Sequence, residues 1–195
     1  MSKSVKNIAI MASGAGSNAQ KIIEYFSNRK DIRVQLIISN KRDAGVLSIA
    51  SKAGISSLVI SKDSFYHSTK LLLELEKQQI DFIVLAGFLW LIPAYLVQKY
   101  PERMVNIHPS LLPKYGGKGM YGHFVHEAVH GAKEFYSGIT IHYVNEKYDD
   151  GSVVFQEKCE INPSDQPLDI AKKVQFLEHT CYPVVIDQLV SSLSY

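Results

Sequence analysis

Three observations predict an α/β fold, doubly wound, with a mostly parallel Rossmann-like sheet, helices on both faces and an antiparallel addition near the C-terminus. Short apolar runs alternate along the chain with segments of helical period. The first apolar run ends in a glycine-rich turn that opens a helix. The last two strand-like segments instead alternate apolar and polar residues, the mark of antiparallel pairing with one face less buried.

The elements follow in order. Residues 7–13, "NIAIMAS", form an apolar run suited to a strand buried on both faces. Ala19, Ile22, Ile23 and Phe26 then recur at i, i+3, i+4 and i+7, the stripe of a helix packed on the sheet. Residues 34–39 read as a second strand, 43–53 as a helix, 56–60 as a third strand and 64–79 as one long helix. The fourth strand is 81–88, "DFIVLAGF", with a short helix after Pro93 and a fifth strand at 104–108. Residues 123–131 read as a helix, and 137–144 and 152–161 as the pair with alternating pattern. Pro167 opens the last helix and Pro183 is expected to kink or break it.

Length and composition bound the function. The chain has 195 residues, enough for a single domain around one core. A net charge of +2 is too small to suggest a nucleic-acid or membrane surface by itself. Two cysteines, Cys159 and Cys181, make no disulfide framework and suit a reducing cytoplasm. The short apolar N-terminal run has neither the length of a membrane span nor the layout of a signal peptide. No repeat or linker divides the chain.

In doubly wound sheets ligands bind at the carboxyl ends of the strands, so the ends of the first, fourth and fifth strands are the places to look. The first ends in "SGAGSN", where Gly14 and Gly16 allow a tight turn and Ser17 or Asn18 could cap a helix whose free N–H groups attract an anion. Gly14, Gly16 and Ala19 also fit a loose dinucleotide fingerprint, but Asn40, Lys41 and Arg42 stand where a NAD site needs an acid. A phosphate monoester fits better, NADP less well, and a glycine turn without a ligand is the plain alternative. At the fourth strand's end, Gly87 and the segment Leu89 to Ile92 offer backbone polar groups beside apolar side chains, a lining for a flat heteroaromatic ring or an ordinary turn.

The fifth strand ends in "NIHPSLLP". Asn106 and His108 are two residues apart, share a face about 6–7 Å apart, and could both stabilise an oxyanion on a carbonyl. A hydrogen-bonded core histidine is the alternative. A carboxylate would favour the protonated ring, and Glu146, Asp149 and Asp150 are candidates in a turn closed by Gly151. "HEAVH" at 126–130 matches the zinc-protease H-E-x-x-H pattern, with His123 nearby, but Gly131 ends the helix at once. A solvated amphipathic helix explains it better, and no metal is expected.

"SGAGSN", "VLAGF", "NIHPSLLP", the D-x-G of Asp149–Gly151 and the Q-x-x-E-H of 175–179 occur in that order. Together they resemble the phosphoribosylglycinamide formyltransferase family of the formyltransferase superfamily, from about Lys6 to Leu189. "NIHPSLLP" marks the superfamily, whereas the loop, the length and Q-x-x-E-H point to this branch. The resemblance implies transfer of a formyl group from 10-formyltetrahydrofolate, the co-substrate, to the amine of glycinamide ribonucleotide in de novo purine (IMP) biosynthesis. It implies that Gly16, Ser17 and Asn18 hold the substrate phosphate, and that Gln175 and Glu178 lie near its glycinamide end. Leu89, Trp90, Leu91 and Ile92 correspond to the segment whose backbone holds the pterin. Asn106 corresponds to the residue polarising the formyl oxygen, His108 to the general acid, and Asp149 to its carboxylate.

One domain over 1–195 is expected, with about 1–100 binding phosphate and about 101–195 carrying the catalytic residues. No appended tRNA-binding or regulatory domain is expected. The partners expected are small-molecule substrates, with no nucleic acid and no membrane, in a monomer or homodimer. The alternatives are a formyltetrahydrofolate hydrolase and a non-catalytic nucleotide-phosphate binding protein. Two departures stand out: a longer glycine-rich stretch at 116–122, which leaves open whether His123 or His126 lines the site, and Trp90 where the family commonly has arginine.

Overall fold

The computed structural model describes residues 5–193. Its strands are β1 (Lys6–Met11), β2 (Ile32–Ser39), β3 (Ser56–Val59), β4 (Phe82–Leu85), β5 (Met104–His108), β6 (Tyr136–Tyr143) and β7 (Val153–Glu160). Its helices are α1 (Ser17–Phe26), α2 (Gly45–Lys52), α3 (Lys62–Tyr66), α4 (Lys70–Lys77), α5 (Ala94–Lys99), α6 (His123–Gly131) and α7 (Pro167–Ser192).

The seven strands form one sheet in the order β3-β2-β1-β4-β5-β6-β7. The pairs from β3 to β5 are parallel, while β6 lies antiparallel to β5 and β7 antiparallel to β6. The chain order reverses between β1 and β4, which makes their carboxyl ends the topological switch point. Fully buried β1 and β4 explain their continuous apolar runs. One face packs Ile8, Ile10 and Val84 against α1, α6 and α7 through Ile22, Val129 and Ile186. The other packs Ala9, Met11 and Ile83 against α3, α4 and α5 through Phe65, Leu75 and Leu96.

One expectation fails, and one of the two alternatives of a second falls. Residues 64–79 are not one helix but α3 and α4. Ser61 and Ser64 form a capping box that starts the first at Lys62, and His67 leaves helical geometry at φ −122°. Pro183 does not break α7, which runs on to Ser192 with Pro183 buried inside it. Tyr182, fully buried next to it, places its hydroxyl 2.8 Å from the Leu85 carbonyl and 3.2 Å from that of Val105. The Tyr182 hydroxyl thereby ties the helix to β4 and β5, although one helical N–H is lost at Pro183.

Candidate active site

A cleft of about 510 Å³ opens at the switch point, between the ends of β1, β4 and β5 and the glycine-rich stretch after β5. A smaller pocket of about 60 Å³ adjoins it and shares Phe88, Asn106, Tyr148 and Asp149 with it.

Gly16 precedes α1 in the left-handed region, at φ 84°, and a Cβ there would lie 2.8 Å from Val46. Glycine therefore shapes this turn, and α1 starts immediately after it. Neither Ser17 nor Asn18 caps the helix, contrary to expectation. Both lie inside α1, so its first N–H groups have no side-chain partner and remain available at the cleft. Asn18 instead donates through Nδ2 to Glu178 Oε2 at 3.0 Å, and its own Oδ1 is buried without a partner. Burial pushes the Glu178 carboxyl up to about 7 despite that hydrogen bond and the charge of His108.

Gly16, Ser17, Asn18 and Glu178 line the cleft, whereas Gln175 is exposed and its amide donates to Ser17 Oγ at 3.5 Å. Asn40, Lys41 and Arg42 are outside the cleft lining, so the dinucleotide reading gains nothing from them.

Of the 89–92 segment, Leu89 lines the cleft, and Trp90, Leu91 and Ile92 line the smaller pocket. Two of its backbone groups are already engaged. The Leu89 N–H donates to Ser13 Oγ at 3.0 Å, and the Leu91 carbonyl accepts from the Tyr66 hydroxyl at 3.0 Å. Trp90 packs against Phe65, Tyr66 and Phe88 at ring distances of 5.6, 6.1 and 6.1 Å, so an aromatic cluster occupies the place of an arginine.

Asn106, His108 and Asp149 come together at the end of β5. Asp149 sits in the β6–β7 turn at φ 52°. Gly151 makes that turn possible, since a Cβ there would fall 1.7 Å from the Tyr143 carbonyl oxygen. His108 Nδ1 lies 3.3 Å from Asp149 Oδ2, and its Nε2 lies 2.7 Å from the Tyr115 carbonyl. An acceptor thus faces each ring nitrogen, and the arrangement is fully satisfied when both carry a proton. Asn106 Nδ2 donates to Asp149 Oδ1 at 3.3 Å and also meets His142 Nε2 at 3.2 Å. Burial raises the Asp149 carboxyl. Hydrogen bonds from His108 and His142, the His108 charge and the Gly117 N–H at 2.9 Å outweigh it and hold the carboxyl far below the ordinary range.

His142, the Tyr115 carbonyl and the Gly117 N–H were missed from sequence. His142 pairs with Asn106 across the β5–β6 ladder, beside a bulge between Ile141 and His142. The antiparallel register could have exposed it. The two backbone groups had no signal in residue type. Glu146 and Asp150 take no part in the cleft lining.

"HEAVH" is helical, but His126 is buried and His130 exposed, while His123 lies against Phe124 with ring centroids 4.0 Å apart. Neither His123 nor His126 lines the cleft. Among the described residues no three His, Cys, Asp or Glu side chains are grouped to hold a metal ion, and no helix is long and apolar enough to cross a membrane.

A switch-point cleft with a glycine turn on one wall and a histidine–carboxylate pair on another defines a Rossmann-like α/β domain with a candidate site where such sheets bind their ligands. Comparison with known proteins narrows this. A family model described as formyl transferase matches residues 6–186. The chain is 43% identical over 187 residues to the chloroplastic phosphoribosylglycinamide formyltransferase of Arabidopsis thaliana, covering 93% of this chain and 64% of that protein. It is 36% identical over 185 residues to the phosphoribosylglycinamide formyltransferase of Escherichia coli K12, covering 92% and 85%. The crystal structure of phosphoribosylglycinamide formyltransferase from Bacillus halodurans superposes with a TM-score of 0.85 at 34% identity, covering 96% of each chain. The chain spans under two thirds of the plant relatives it matches, 64% and 61% of their length. It belongs to the formyl transferase family, among the relatives of its phosphoribosylglycinamide formyltransferases.

Proposed function

We propose that this chain transfers the formyl group of 10-formyltetrahydrofolate to the amine of glycinamide ribonucleotide, giving formylglycinamide ribonucleotide in purine biosynthesis. The reading rests above all on the contact of Asn106 and His108 with Asp149 beside a cleft that also contains the uncapped start of α1. The names of the relatives support it.

In this reading the chain works as one domain over 1–195, the half before about residue 100 holding phosphate and the rest performing the chemistry. The N–H groups after Gly16 and the side chains of Ser17 and Asn18 take the phosphate, far from the reacting amine, so binding energy positions the nucleophile. Glu178 and, at the edge, Gln175 hold the rest of the ribonucleotide. Trp90, Leu91 and Ile92 border the smaller pocket, which takes the pterin, and Leu89 lies between the two ligands.

The incoming amine forms the new C–N bond as negative charge builds on the formyl oxygen. Asn106 donates to that oxygen in exchange for its contact with His142. His108 holds its positive charge against it, backed by Asp149. When the oxygen's charge collapses, the bond to the folate nitrogen breaks. His108 gives up a proton, by way of water, to that leaving nitrogen and is reprotonated by the proton the amine loses, while Asp149 stays ionised behind it. Protons balance, and the chemistry uses no metal and no covalent enzyme intermediate.

The test is incubation of the purified chain with both substrates, with and without a chelator. Chelator-insensitive formation of formylated ribonucleotide is expected. Release of free formate instead would identify a hydrolase and overturn the reading.

A further inference from the structure

We infer that Lys118 is a specificity-determining residue of the cleft, the cation that reads the phosphate dianion of the ribonucleotide; this rests on the function proposed above.

The observation begins with charge. Asp149 and Glu178 both line the cleft, and a dianionic substrate must enter beside them. The start of α1 offers partial positive charge only. Among the described lining residues, Lys118 is the single Lys or Arg. No ion pair or hydrogen bond engages its ammonium within the described chain. The other charged side chain of the neighbouring stretch, Lys114, is committed to Glu134 at 2.7 Å.

Its position is built. The Met120 N–H closes a turn onto the Gly117 carbonyl at 3.1 Å, with Gly117 at φ 94° and Gly119 at φ 92° on either side of Lys118. Met120 packs against the core, and the Gly117 N–H donates to Asp149 Oδ2 at 2.9 Å. The turn is therefore tied at both ends, and Lys118 stands at its corner. Lys118 lines the larger cleft with Gly14 to Asn18 and is absent from the smaller pocket of Trp90 to Ile92. That placement favours the ribonucleotide phosphate over the carboxylates of a folate tail. The same turn holds the carboxylate behind His108, so an anion captured by Lys118 also steadies Asp149.

The experiment measures the Kd of ribose 5-phosphate by titration calorimetry, and the KM of each substrate, for the wild type, Lys118→Met and Lys118→Arg. Lys118→Met should raise the Kd of ribose 5-phosphate and the KM of glycinamide ribonucleotide together, by about ten- to a hundredfold. The KM for folate should stay within about twofold, and Lys118→Arg should restore most of the loss. An unchanged Kd in Lys118→Met overturns the inference. So does a raised folate KM with unchanged ribose 5-phosphate binding, which would assign Lys118 to the folate carboxylates. Lys118-dependent binding in a chain that makes no formylated product would keep this inference and overturn the reaction. Formyl transfer with Lys118-independent binding would do the reverse.

Discussion

Two carboxylates line one cleft, and their surroundings drive them in opposite directions. Asp149, in the β6–β7 turn, collects hydrogen bonds from His108, Asn106 and the Gly117 N–H and is held ionised. Glu178, on α7, has one amide donor from Asn18, and burial pushes it up to about 7. The difference extends to their neighbours. Around Asp149 each nitrogen of His108 already faces an acceptor. Around Glu178, Asn18 Oδ1 is buried unpartnered and α1 starts without a side-chain cap. The first region is organised before any ligand arrives, as electrostatic stabilisation of a transition state requires. The second has hydrogen-bonding capacity left over, as a binding site has before its ligand fills it.

The contrast can be broken at several points. The largest effect is expected at the organised side. Asn106→Ala and His108→Ala should each lower kcat by about 10²–10⁴ while circular dichroism stays that of the wild type. Loss seen only in KM would place these residues in binding. Next comes Gly151→Ala. A Cβ 1.7 Å from the Tyr143 carbonyl must displace the turn that carries Asp149. Urea denaturation should show a loss of about 3 kcal/mol or more, and wild-type stability would mean the turn relaxes without cost.

A subtler effect separates the carboxylates by pH. Glu178 has a raised folded-state pKa, so its contribution to stability is fully present below about 4.5 and is lost as pH rises through about 7. Asp149 runs the other way: its contribution is present above the ordinary 3.8 and is lost as pH falls toward its lowered value. The melting temperature of Glu178→Gln minus that of the wild type should therefore grow between pH 4.5 and 7. The growth corresponds to on the order of 2 kcal/mol, about 4–8 °C. A difference independent of pH would mean Glu178 is ionised throughout. The smallest effect is expected for Asn18→Ala, with KM for the ribonucleotide raised by about tenfold and kcat changed far less.

The legible parts of the molecule were those written in side-chain period and residue type. The buried parallel strands, the alternating β6 and β7, and the Asn106–His108 face could be read because apolar runs, period two and strand geometry force them. The expected long helix over 64–79 is interrupted at 67–69, where the Ser68 hydroxyl donates to the Ser64 carbonyl and accepts from the Lys70 N–H, local bonds that compete with an unbroken apolar stripe. A break at Pro183 is avoided because tertiary packing of α7 overrides the local penalty. In the site, the residues after β6 leave Glu146, Asp149 and Asp150 as equal candidates, and the family resemblance singles out Asp149. The Tyr115 carbonyl and the Gly117 N–H belong to the backbone, which no residue type announces, and only the folded path of 115–117 brings them to His108 and Asp149.

The most direct test of the organised side is the single-turnover rate of formyl transfer by Asp149→Asn with both substrates saturating. The substitution keeps the side chain's size but removes the charge behind His108. A rate about a thousandfold below wild type, with both substrates still bound, is the predicted result; a rate within about threefold of wild type would contradict a catalytic role for the His108–Asp149 pair.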